Sequence, residues 1–173
     1  MLAFHGDSNI KATYLARVRA HARADEIVQG KYWEHGKGCA VGCTIHSSDH
    51  SRYETELGIP RILAKLEDRI FEGLGNGDAK AFPLRFLSAI EPGADLTLLW
   101  YQFAHWLLMD PTDGVIHLTR SPRTKESIIE VASLLDRKQR GSMVEGREWQ
   151  NARKSVGAAA HADAGDAVAV AVG

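Results

Sequence analysis

Residues 96–109 read LTLLWYQFAHWLLM, the longest apolar run in the chain. It is too long for an ordinary strand. Broken by Gln102 and His105, it also falls short of the roughly 20 apolar residues that a membrane span requires. It therefore reads as a helix that Asp95 can cap, apolar nearly all round, and such a helix has to be covered on several sides. The expectation is an all-α, single-domain bundle of about six or seven helices around a central apolar helix, residues 95–109, with His105 a hydrogen-bonded core histidine.

Toward the C-terminus, Asp110, Pro111 and Asp113-Gly114 stop that helix, and VIHLT is too short for more than a strand fragment. After Ser121-Pro122 a helix turns Ile128, Val131, Ala132 and Leu135 inward and places Arg137, Lys138 and Arg140 at its negative pole. Ser142 with Glu145 forms a capping-box pattern that starts a last helix. Past Gly157 the chain runs AAAHADAGDAVAVAVG, rich in helix formers with little volume to pack. The expected organisation is a helical domain over 1–156 and an alanine-rich helical extension over 157–173.

Toward the N-terminus, the cleanest amphipathic pattern runs from Ile59: Ile62, Leu63, Leu66, Ile70 and Leu74 form a stripe, and Lys65, Arg69 and Glu72 point away. The glycines of GLGNG, residues 73–77, have a helix before them and no Lys-Ser/Thr pair behind, so they read as a helix end and turn, not a phosphate loop. A first helix is predicted over about 9–29. Its Lys11, Arg17, Arg19 and Arg23 lack interleaved exposed aromatics and read as a solvated face, so nucleic acid is not an expected partner. With 21 Lys and Arg against 22 Asp and Glu, the net charge of -1 supplies no global field toward polyanions or membranes.

The stretch GCAVGCTIHSSDH, residues 38–50, gathers more potential metal ligands than any other. On one continuous helix Cys39, Cys43, His46 and His50 would share a face. Cys39 and His50 would then lie about 16 Å apart along the axis, too far for one ion. The favoured reading is that the cysteines line the helix's inner face as small apolar residues, with no cofactor. The alternative is a zinc or iron site drawing on Cys43, His46 and His50, completed by His35, His5, His105 or Glu54. Two cysteines four apart seldom have disulfide geometry, and MLAFHGDSNIK lacks a secretory pattern. Both predict a reduced, cytoplasmic setting. G-x-S-x-G, HExxH and paired E-x-x-H motifs do not occur in the sequence.

GKGCAVGCTIHSSDH, followed by YETELGIP and LEDRIFEGL, resembles a group of uncharacterised bacterial and phage-borne proteins over roughly residues 27–110. The alanine-rich tail is similar to the helical repeats of immunity proteins from toxin systems. The resemblance supplies no catalytic residues. Together with the missing motifs it implies a non-enzymatic interaction protein of mobile-element or immunity type, whose ligand is a protein partner or a second copy of the chain. The rival expectation is a metal-binding enzyme or sensor on the 39–50 face.

Overall fold

The computed structural model describes residues 1–172, with the side chains of Asn76 and 164–172 outside the description. Among the described residues the protein is all-α: eight α-helices and one short hairpin. None of these helices is long and apolar enough to cross a membrane. The chain divides into two compact units, Met1–Thr97 and the part from Leu98 onward.

In the first unit α1 (Ser8–Arg23) starts where the Asp7 carboxylate accepts a hydrogen bond from the Asn9 amide. It ends earlier than the predicted 29, because Asp25 adopts a left-handed conformation (φ 57°) and His21 and Glu26 join side chains across the turn at 2.6 Å. A hairpin follows, β1 (Trp33–Glu34) antiparallel to β2 (Lys37–Gly38). His35 and Gly36 both take positive φ, as a two-residue turn matched to strand twist requires. Then come α2 (Ala40–Ile45), α3 (Arg52–Leu57), α4 (Arg61–Gly73) and α5 (Asn76–Ala89). Phe4, Val18, Ile27, Val41, Ile45, Tyr53, Leu57, Ile59, Phe71 and Leu87 are buried in this unit.

Two glycines explain the approach to the cysteines. A Cβ on Gly42 would lie 1.8 Å from the Tyr32 carbonyl oxygen, and one on Gly38 2.2 Å from the same atom. The backbone of Tyr32 therefore crosses directly over the start of α2, which is possible only with hydrogen at both positions.

In α4 the buried side chains are Leu63, Ala64, Glu67 and Phe71, whereas Ile62 is exposed and Leu66 and Ile70 are half-buried. The inward face is rotated from the predicted stripe and has a carboxylate at its centre.

The second unit contains α6 (Leu99–Met109), a 3-10 turn over Val115–Leu118, α7 (Pro122–Gln139) and α8 (Gly146–Val172). Leu134, Val144 and Ala152 form its core, with Val131 and Trp149 packed against it. This corrects the expectation of a central helix over 95–109. The helix begins at Leu99, none of its residues is buried, and Trp106 and Leu107 are 50% and 43% exposed. Apolarity on every side shows what a helix would gain from cover, but a unit of three helices has too few elements to enclose one of them. The expected capping box is also replaced: the Glu148 carboxylate accepts from the Glu145 amide and pairs with Arg137. α8 continues without a break through Gly157.

Candidate metal centre

The hairpin delivers Cys39. Its amide donates to the carbonyls of Lys31 and Tyr32 at 2.6 and 3.1 Å, which fixes the residue as the N-cap of α2 with its side chain buried. α2 lasts only to Ile45, where His46 takes the left-handed conformation (φ 52°) that ends the helix. Residues 39–50 are therefore not one helix. The chain turns through Ser47–Asp49, with the Asp49 amide donating to Ser47 Oγ and the Ser51 amide and hydroxyl donating to Asp49 Oδ1. That reversal returns His50 to Cys39 and removes the 16 Å separation a continuous helix would impose. α4 supplies Asp68. One ligand atom from each of Cys39, His50 and Asp68 lies within 4.8 Å of the other two.

Burial, followed by contact with Asp68, pushes the Cys39 thiol far above its usual range, against a smaller opposing pull from the Gly42 amide. Burial also lowers His50, helped by the positive charges of Arg61 and Lys65 and resisted by Asp68. Both shifts favour the uncharged forms, the thiol of Cys39 and the neutral imidazole of His50. His50 Nε2 and Asp68 Oδ1 are both shielded from solvent and have no hydrogen-bond partner among the described residues. Buried polar atoms of this kind call for a partner, a water or an ion.

Behind the cluster, Tyr53 donates its hydroxyl proton to Glu67 Oε2 at 2.7 Å, and both side chains are fully buried. Desolvation raises Glu67 to about 8, opposed by the Tyr53 hydrogen bond and reinforced by Asp68.

The other residues considered from the sequence lie elsewhere. Cys43 donates from Sγ to the carbonyls of Gly38 and Glu26, and burial raises its thiol to about 12. Its side chain is fully buried. His46 Nε2 lies 2.7 Å from His21 Nε2 and its ring stacks on Trp33 at 4.8 Å, so it is not part of the His50 cluster. His5 Nε2 meets the Thr55 carbonyl, His35 occupies the hairpin turn, Glu54 accepts from the Arg61 amide, and His105 lies on α6. Asp68 was missed because its helix reads as an ordinary amphipathic one. The only signal was the adjacent Glu67-Asp68 pair, which places one carboxylate at the core and the next at its edge.

A Cys-His-Asp nucleophile needs its groups in series, thiol to imidazole to carboxylate. Here the thiol meets Asp68, and His50 Nε2 is unpartnered. Sulfur, nitrogen and oxygen ligand atoms are gathered together instead, a donor set that suits zinc. His50 and Asp68 also line a cleft of about 360 Å³ with Tyr32, Lys65, Arg69 and Glu72. No protein-family profile, curated protein or solved structure matches this chain.

Proposed function

We propose that the first unit is a zinc-binding domain, with Cys39, His50 and Asp68 as the protein ligands and a fourth position open to the cleft. The convergence of one ligand atom from each of the three residues within 4.8 Å, beside buried unpartnered atoms on His50 and Asp68, carries this reading. Three protein ligands and one open position is the arrangement of zinc sites that bind water or substrate. At such a site the metal lowers the pKa of bound water toward about 7 and polarises an incoming oxygen. A reducing compartment, which keeps Cys39 a thiol, belongs to the same reading. Binding converts that thiol to thiolate, so uptake at neutral pH releases a proton and weakens as pH falls.

Elemental analysis of untagged protein, purified under reducing conditions and equilibrated with zinc, tests it. About one zinc per chain is expected, lost in Cys39→Ala and His50→Ala and retained in Cys43→Ala and His46→Ala. Wild-type protein that takes up no zinc would overturn the reading. So would the opposite pattern among the variants.

A protein-interaction role is a second reading, favoured by one observation in the second unit. Trp100, Ala104, Leu107, Leu108, Leu135 and Trp149 line an almost wholly apolar groove of about 370 Å³, a surface suited to an apolar anchor from a partner. A Leu107→Asp variant should lose such a partner while its zinc content is unchanged.

A further inference from the structure

The side of α4 that faces away from the core carries Arg61, Lys65 and Arg69, four residues apart, so the three form a row along the helix. From first to last the row spans about 12 Å at 1.5 Å per residue. It borders two cavities, of about 360 and 230 Å³, that share Tyr32, His50 and Lys65. Arg69 lines the larger and Arg61 the smaller.

Among the described residues none of these three cations is ion-paired. The same walls also carry the carboxylates of Asp49, Asp68 and Glu72. Asp49 accepts from Ser51, Glu72 accepts from the Gly30 amide with both oxygens, and Asp68 belongs to the Cys39 cluster. Cations on a plain solvated face usually have acids interleaved as partners. Here, among the described residues, none of these acids comes within ion-pair distance of the three cations, and the cations converge on a cleft with a candidate metal position in its wall. Tyr32, 63% exposed, stands at the rim with its ring against His50 at 5.6 Å.

With zinc at Cys39, His50 and Asp68 as the premise, we infer that the cleft binds a small phosphate-bearing anion, one phosphoryl oxygen at the open metal position and the others on Lys65 and the flanking arginines. Guanidinium and ammonium donors match phosphoryl oxygens, and charge-assisted bonds of this kind are among the stronger polar contacts. The bounded volume suits a small molecule. The exposed Tyr32 ring offers a face on which a base attached to the phosphate can stack.

Calorimetric titration of the zinc-equilibrated full chain with inorganic phosphate and with AMP tests this, alongside zinc content. Both probes should bind. Lys65→Ala should weaken each by roughly tenfold or more, and Arg61→Ala with Arg69→Ala by at least as much. All three side chains are solvent-facing, so the variants should fold and keep one zinc per chain. Tighter binding of AMP than of phosphate identifies a nucleoside phosphate as the source. Equal binding assigns recognition to the phosphoryl group alone. Full zinc content with no binding of either probe, with affinities unchanged in the variants, or with binding only of a single-stranded oligonucleotide would overturn the inference. Wild-type protein that takes no zinc, yet binds phosphate through these cations, would remove the metal and leave the cation cleft standing. Failure of both would remove both.

Discussion

Glu67 is the residue whose chemistry departs furthest from its appearance in the sequence. In a helix that also carries Lys65, Asp68, Arg69 and Glu72, one more carboxylate reads as surface, yet it is fully buried against Tyr53 with its pKa raised from 4.5 to about 8. A raised folded-state pKa means that the native protein holds a proton the unfolded chain releases. This contribution to stability is complete below about 4.5 and is lost as pH rises toward about 8. Glu67→Gln keeps the shape and a hydrogen-bonding oxygen without the charge. It should flatten that decline and stabilise the protein above neutral pH by on the order of a few kcal/mol. Denaturant melts of metal-free wild type and Glu67→Gln between pH 5 and 8.5 check this, and a stability difference between the two that does not grow with pH would refute it. His46 and His50 act in the other direction: both are lowered, mainly by burial, so their contribution is present above about 6.5 and lost in acid. Neither sign could be read from sequence, because both depend on which side chains the tertiary packing covers.

At the scale of elements, helices were legible and faces were not. Pro60, GLGNG, Ser121-Pro122 and the apolar periodicities mark where helices start and stop. In α4 the apolar pattern is wide enough for two orientations, and packing selected the one with Leu63, Glu67 and Phe71 inward. In α6 apolarity was mistaken for centrality. Phe71→Ala should therefore cost about 3 to 5 kcal/mol, while Leu99→Ala, at a site already 38% exposed, should cost about 1 kcal/mol or less. Equal losses in chemical denaturation would restore α6 to the core. The cysteine stretch was readable as a cluster of ligand types, but its geometry depends on a left-handed residue at His46 and on the chain that crosses it. Gly42→Ala forces a methyl group into the Tyr32 carbonyl. It should destabilise by roughly 1 to 3 kcal/mol, at the upper end because the obstacle is backbone, and should weaken zinc uptake by displacing Cys39.

At the scale of the whole molecule, every proposed ligand lies within Met1–Thr97 and none in the unit that follows. An ion bound only to the folded state, at a free concentration a hundredfold above its dissociation constant, adds about 2.7 kcal/mol. Chelation should therefore raise amide exchange in α2, α3 and α4 and leave α7 and α8 unchanged, as hydrogen-exchange mass spectrometry of the full chain can measure. Equal loss of protection in α7 and α8 would place the ion's effect elsewhere. The most direct test of the zinc site is X-ray absorption at the zinc edge of the loaded protein. One sulfur at about 2.3 Å, from Cys39, with the remaining shell nitrogen and oxygen at about 2.0 to 2.2 Å, is the predicted result. A shell without sulfur, or one with two sulfurs that would require Cys43, would contradict it.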